Sequence, residues 1–164
     1  MKTYERVFKE LSLRLSPFGF ERHGTTWWQT CAGRIWRRVH VHKFRAGDYF
    51  RVHAALHAVG IEDDAPWLNG PYSYDGWFEE KKLGFRSRKY DFHFHDSDES
   101  IGRCADELRD YISRIVIPWF NSWSDERKLI EAMDSPLTAK AKAFLKKVPI
   151  QLPEPTAASG RGSS

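Results

Sequence analysis

Histidine is the residue type whose placement in this chain could support chemistry. Six of the seven histidines fall in segments where polar and apolar residues alternate, and a period of two is typical of a β-strand. Successive side chains of a strand point to opposite faces, so this pattern predicts that the six imidazoles share one face of a sheet. They are His40, His42, His53, His57, His93 and His95, opposite Val41, Val52 and Phe94.

Histidines two residues apart could bind a metal ion. On a strand such a pair projects side by side, roughly 6.6 Å apart, and imidazole nitrogens bind zinc at about 2.0–2.1 Å. Two pairs on different strands could complete a site together with Asp91. This hypothesis predicts a metal-dependent enzyme with a divalent cation such as zinc as its cofactor, and its candidate ligands are His40, His42, His93 and His95.

The same face could instead bind an acidic partner, either a protein or a small anionic ligand. Arginine forms paired hydrogen bonds with carboxylate and phosphate groups, and histidine supplies further donors. The candidate ligand-binding residues are Arg38, Arg51, His40, His42, His53 and Trp36. A third interpretation is a solvated sheet face without a ligand, because alternation by itself places polar residues on the solvent side of a strand.

The two functional hypotheses differ in their response to pH. Clustered imidazoles beside two arginines should repel one another when protonated, so those without a carboxylate partner should have pKa values at or below about 6.5. Binding of an acidic partner should then strengthen between about pH 7 and pH 6. Metal binding should weaken over the same range, because protons compete for the ring nitrogens.

No motif in the sequence names a reaction. Glycine-rich phosphate loops, a G-x-S-x-G elbow, H-E-x-x-H and paired C-x-x-C are all missing from the sequence. Cys31 and Cys104 form no metal or redox motif and are expected to be reduced. We therefore expect a binding module without catalytic residues, and no cofactor unless the histidines bind a metal.

The net charge of +4 is unevenly distributed along the chain. Residues 1–60 carry 11 Lys and Arg against 4 Asp and Glu, whereas residues 61–136 carry 10 against 17. The basic part is expected to pair with the acidic part, so nucleic acid is not an expected partner. The sequence contains no run of about 18 apolar residues, so no membrane span is predicted. The amino-terminal stretch does not resemble a signal peptide, so a cytoplasmic protein is expected.

The hydrophobic periodicity predicts an α+β domain over residues 1–148, with an antiparallel sheet of about four strands and helices packed on one face. Strands are predicted at 25–31, 34–45, 49–59 and 85–96, and an ordered excursion at 60–84. Helices are predicted over 2–16, from about 98 to a stop or kink at Pro118, over 124–133 and over 135–148, followed by a disordered tail at 149–164. Leu108 and Phe94 should be buried where the second long helix crosses the sheet. Trp27 and Trp28 must point to opposite faces, one into the core and one outward as a possible stacking platform.

Three short stretches carry a family resemblance: residues 16–20 (Ser-Pro-Phe-Gly-Phe), 22–24 (Arg-His-Gly) and 117–120 (Ile-Pro-Trp-Phe). With the order helix, meander, helix, the chain resembles the bacterial family known as domain of unknown function 4304 over roughly residues 3–133. The resemblance implies a small cytoplasmic α+β domain. It brings no catalytic residues that could be assigned to positions of this sequence.

Overall fold

The computed structural model describes residues 1–61, 68–73 and 90–148 in full, and the backbone of residues 77–80 and 85–88. The predicted tail at 149–164 lies outside the described residues, as do parts of the predicted excursion at 60–84. Both therefore stay predictions.

The sheet is an antiparallel meander of four strands, in the order β1 (Glu21–His23), β2 (Trp27–Ala32), β3 (Ile35–Lys43) and β4 (Phe50–Ala58). Helix α1 (Thr3–Leu15) lies against one face of it, and Phe8 of this helix contacts the rings of Trp28 and Phe50. The predicted α+β class is confirmed.

The strand predicted at 85–96 is only partly present. Its first part is β6 (Phe85–Arg88), which pairs with β5 (Trp77–Glu80) in a separate two-stranded sheet. Its last part forms one bridge with the four-stranded sheet, between Tyr49 and His93, and the ring of Phe94 stacks on that of Phe50. Arg103 and Glu107 lie on the helix that follows this segment. Their side chains hydrogen-bond the backbone of Asp91 and His93 and hold it against that helix. The fourth strand of the main sheet is β1. It has three residues, which are too few for an alternation of polar and apolar residues to reveal a strand.

The outer edge of β4 is covered by an irregular segment. The Asn69 amide bonds both the N–H and the C=O of Leu56 at 2.9 Å, and the Ser73 N–H bonds the C=O of Val52 at 2.7 Å. These contacts hydrogen-bond N–H and C=O groups of β4 that would otherwise be unpaired at the sheet edge and could pair with other chains. They also bring Tyr72 opposite His53.

The second long helical run passes through Pro118 instead of ending there. Helix α2 (Asp98–Tyr111) is capped by Ser97, whose hydroxyl accepts the Ser100 N–H. It continues as a π-helical turn (Ile112–Val116) into α3 (Ile117–Ser122). Proline has no N–H to give to the preceding turn, and wider i to i+5 hydrogen bonding just before it keeps the run continuous.

Two short helices complete the described chain, α4 (Glu126–Glu131) and α5 (Ala139–Lys147). The predicted start of the last helix at 135 is wrong, because the hydroxyl of Thr138 caps the helix by accepting the Ala141 N–H. Arg34 on the β2–β3 turn donates to Glu126 and to the carbonyls of Leu145 and Val148, and so fastens α4 and α5 to the sheet.

The core lies between the sheet and the helices. Leu108 and Phe94 are 0% and 2% exposed, as predicted. Of the adjacent tryptophans, Trp28 is fully buried and its indole N–H donates to Ser12 on α1, whereas Trp27 lies on the opposite face. No helix among the described residues has the length and apolar character needed to cross a bilayer.

Candidate functional site

The candidate site is the face of β2, β3 and β4 that points away from α1, which we call the histidine face. Strand register and alternation define it, because residues paired across an antiparallel sheet point to the same side. The predicted common face of His40, His42 and His53 is confirmed, with His40 opposite His53 and His42 opposite Arg51. Its residues are Trp27, Gln29, Cys31, Trp36, Arg38, His40, His42, Arg51, His53, Ala55 and His57.

Four flat rings form a row across this face. Trp27 lies opposite His40, His40 opposite His53, and His53 is bridged to Tyr72. Their ring centroids are 4.6, 5.8 and 5.8 Å apart in turn, and successive ring planes differ by 29°, 28° and 25°. Successive rings of the row are therefore stacked on one another across the strands.

A second line of ring contacts leads from the row to His93. His42 contacts Phe44, Phe44 stacks on Tyr49 at 4.6 Å, and Tyr49 contacts His93 at 5.1 Å. His93 is thus on the histidine side of the fold, but two rings separate it from His42. His95 follows it as an exposed residue. Neither residue belongs to a strand of the four-stranded sheet, so the prediction of one shared sheet face is wrong for His93 and His95.

The two arginines of the face point to opposite ends of it. Arg38 donates to Gln29 Oε1 at 3.1 Å, and its Nη1 is 3.1 Å from His57 Nδ1. It also lies 5.6 Å from the ring of Trp36. Arg51 lies over the ring of Phe44 at 4.7 Å, beyond His42. The imidazoles of His40 and His53 occupy the space between these two cations.

No outward-pointing position of β2, β3 or β4 carries a carboxylate, and these three strands are fully described. Two acidic residues in the described part of the chain lie at the margins of the face. Glu21 lies on β1 opposite Gln29, and Asp91 Oδ1 is 3.6 Å from His93 Nε2. The positions of β2, β3 and β4 on this face therefore supply hydrogen-bond donors and cations but no carboxylate.

Burial and neighbouring charges keep the central histidines neutral at pH 7. Desolvation, with smaller contributions from His53 and His42, lowers the pKa of His40 to about 4. Desolvation and the charge of Arg51 also lower the pKa of His53. The expected direction is confirmed for both. His40 does not gain its proton between pH 7 and pH 6, however, so it cannot contribute the strengthening of acidic-partner binding expected over that range.

The four predicted metal ligands do not form one cluster in the part of the chain that the structure describes. No group of three or more His, Cys, Asp or Glu side chains in that part is arranged to hold an ion. The rings of Phe44 and Tyr49 give a reason, because they lie between His42 and His93. The metal hypothesis stays a prediction.

Among the remaining predicted ligand-binding residues, Trp36 lies half-buried at the Arg38 end, and the neighbouring His57 is buried. The sequence did not identify Phe44, Tyr49 or Tyr72 as site residues. Phe44 and Tyr49 flank the β3–β4 turn and lie within the predicted strands 34–45 and 49–59, where the alternation already gives them the same face as His42 and Arg51. Tyr72 lies on the irregular edge segment, where no periodicity points to it.

Comparison with known proteins adds no further assignment: no family model, no curated protein and no solved structure matches this chain. The resemblance to domain of unknown function 4304 therefore stays a prediction, and the function is argued from the histidine face alone.

Proposed function

We propose that this protein is a cytoplasmic binding module that holds an anionic ligand on the histidine face. The observation that carries the proposal is the composition of that face, which combines two arginines and four histidines with no carboxylate on β2, β3 or β4. Opposite charges across an interface provide both attraction and partner choice.

Because His40 and His53 are neutral, they would interact with a ligand through hydrogen bonds and not through charge. A neutral imidazole has one N–H donor and one acceptor nitrogen. Nδ1 of His40 is buried without a hydrogen-bond partner among the described residues, so the other nitrogen is the one available to a ligand. In this proposal the arginines supply the charge and the histidines supply neutral hydrogen bonds.

The proposal is tested by titrating ¹⁵N-labelled protein with polyglutamate, and with polylysine as the charge-reversed control. We expect polyglutamate to shift the Trp27 indole signal and the amide signals of β3 and β4, and polylysine to shift neither. Arg51→Gln should weaken binding severalfold. The matched control is Arg127→Gln, which removes the same charge from an exposed ion pair on α4.

Three results would contradict the proposal. One is the lack of any shift with polyglutamate. Another is a set of shifts confined to the lysine-rich helix α5, which would make that helix the interaction surface. A third is Zn²⁺ binding at pH 7.5 that disappears in the variant carrying both His40→Ala and His93→Ala, which would favour the metal-dependent enzyme.

A further inference from the structure

We infer that Asn69 is a modification site: spontaneous deamidation of its side chain, which the folded structure suppresses, weakens the attachment of residues 68–73 to the edge of β4. We call these residues the edge segment. The site is independent of what the histidine face binds. Three features carry the inference, namely the sequence Asn69-Gly70, the two hydrogen bonds of the Asn69 amide, and the packing around Gly70.

The sequence Asn69-Gly70 makes this side chain chemically labile. Asparagine deamidates much faster before glycine than before other residues, because glycine has no side chain to hinder attack on the amide. The Gly70 nitrogen forms a bond to Asn69 Cγ, and the amide nitrogen leaves as ammonia with the proton that the Gly70 nitrogen gives up. The cyclic imide then adds water and opens to aspartate or isoaspartate. Water is the only co-reactant.

The Asn69 side chain takes the place of a paired strand residue at the edge of β4. Its Oδ1 accepts the Leu56 N–H at 2.9 Å, and its Nδ2 donates to the Leu56 C=O at 2.9 Å. An amide supplies both a donor and an acceptor, whereas a carboxylate has only acceptor atoms. Deamidation therefore sets an oxygen against the Leu56 C=O and removes its donor, which costs free energy because Leu56 is 1% exposed.

Packing explains why glycine follows Asn69. A Cβ atom at Gly70 would lie 2.6 Å from the ring of Trp119 and 3.0 Å from the carbonyl oxygen of Ala54. Trp119 belongs to α3 and Ala54 to β4, so these two elements leave no room for a side chain at this position. The residue that makes the Asn69 amide labile is therefore required by the fold.

The folded edge segment suppresses the reaction at both reacting groups. The Gly70 N–H donates to the Ala54 C=O at 3.0 Å, and the nitrogen must lose this proton to attack. The Asn69 amide is held by its two bonds to Leu56, and it must turn back towards Gly70 to be attacked. Reaction therefore requires the segment to leave β4 first, and such a local opening costs free energy.

Deamidation makes that opening easier to repeat. The bonds between Ser73 and Val52 can form again, since neither involves Asn69, but the pair of bonds to Leu56 cannot. Unpaired backbone groups at a sheet edge can pair with other chains. Tyr72 lies in the same segment and stacks on His53, so a looser segment also loosens one end of the ring row on the histidine face.

The first test measures the rate of deamidation at Asn69. The protein is kept at mildly alkaline pH, either folded or in urea, and peptide mass spectrometry follows the replacement of the amide NH₂ by OH. We expect the reaction to be slower by about tenfold or more in the folded protein. Ser73→Ala removes the oxygen that accepts the Val52 N–H at 2.6 Å and should speed the reaction in the folded protein. Ser122→Ala, at an exposed serine, should not.

The second test uses Asn69→Asp as the product of the reaction. Its matched control is Asn121→Asp, the same chemical change at an exposed asparagine, whose Oδ1 accepts from Arg37 at 3.3 Å and loses no donor bond. We expect amide hydrogen exchange at Leu56 and Gly70 to be about tenfold faster in Asn69→Asp. Exchange in Asn121→Asp should match that of the original protein.

Two results would overturn the inference. Equal rates of deamidation in the folded protein and in urea would show that the edge segment does not protect Asn69. Exchange at Leu56 that is as slow in Asn69→Asp as in Asn121→Asp would show that β4 accepts a carboxylate in place of the amide. Thermal unfolding of each variant is recorded, and if Ser73→Ala does not fold, the comparison of the two aspartate variants still decides.

Discussion

His40 on β3 and His53 on β4 lie directly opposite each other, with their ring centroids 5.8 Å apart and their ring planes 28° from parallel. Two protonated imidazoles at this distance would repel each other, with Arg51 and His42 close by. The neutral state of the pair therefore favours this arrangement. The proposed site is therefore linked to the acid stability of the whole fold.

The first prediction is that acid destabilises the protein through His40. The pKa of His40 is lowered to about 4 in the folded protein from an ordinary value of 6.5. The unfolded state therefore binds more protons between these values, and the free energy of unfolding falls as the pH falls from about 7 to 4. The loss should reach up to about 3 kcal/mol for this residue. Chemical denaturation at a series of pH values measures it.

His40→Gln should reduce that pH dependence, because glutamine does not titrate. The control is His95→Gln, which changes an exposed histidine and should leave the slope of stability against pH as in the original protein. Equal slopes for the original protein and His40→Gln would contradict the lowered pKa.

The second prediction concerns the core between α2 and the sheet. Leu108 is fully buried, so Leu108→Ala should lower the free energy of unfolding by roughly 2–5 kcal/mol, through lost burial and the cavity left behind. Leu13→Ala is the matched control, because Leu13 is 63% exposed and should change stability by no more than about 0.5 kcal/mol. Similar effects from the two substitutions in urea denaturation would show that the buried stripe of α2 is misassigned.

The third prediction concerns the hydrogen bond that ties α1 to the sheet. The Trp28 indole N–H donates to Ser12 Oγ at 2.9 Å, and Trp28 is fully buried. Ser12→Ala should cost about 1–3 kcal/mol, because it leaves a buried donor without a partner. Ser122→Ala, at an exposed helical serine, should cost much less. In a double-mutant cycle, Trp28→Phe should remove most of the effect of Ser12→Ala, and full additivity would argue against the bond.

The fourth prediction concerns the attachment of the last helix. Arg34 pairs with Glu126, the side chains being 24% and 18% exposed, and also donates to the Leu145 carbonyl at 3.2 Å. Arg34→Gln should cost about 1–3 kcal/mol and speed amide hydrogen exchange in α5. Arg127→Gln breaks a much more exposed pair with Glu131 and should leave α5 protected. Unchanged exchange in α5 after Arg34→Gln would mean that apolar packing alone holds the helix.

The fifth prediction concerns residues 149–164, whose composition is rich in Pro, Ala, Ser and Gly. Truncation after Val148 keeps the carbonyl that Arg34 contacts. The thermal midpoint should then be nearly unchanged. A fall of several degrees, measured by calorimetry, would show that the segment contributes to the folded domain.

The sequence by itself determined which side chains share a face along β3 and β4. Alternation is a local property of an extended chain, so Val41 and Val52 could be assigned to the core and His40 and His53 to the opposite face without any knowledge of the pairing. The helical stripe that includes Leu108 was predictable for the same reason. The predicted strand 85–96 is only partly present, because Arg103 and Glu107 on α2 hydrogen-bond the backbone groups of Asp91 and His93 that regular pairing would use.

Only the tertiary structure decided which side chains are neighbours on the histidine face and what chemical properties they have there. Trp27 and Trp28 are equivalent in the alternating pattern, and the packing of α1 on Trp28 is what leaves Trp27 to stack on His40. The lowered pKa of His40, the outward divergence of Arg38 and Arg51, and the arrival of Tyr72 beside His53 all depend on contacts across strands. Local periodicity specifies a direction for each side chain, whereas register and packing specify its neighbours, and the chemistry of a site depends on the neighbours.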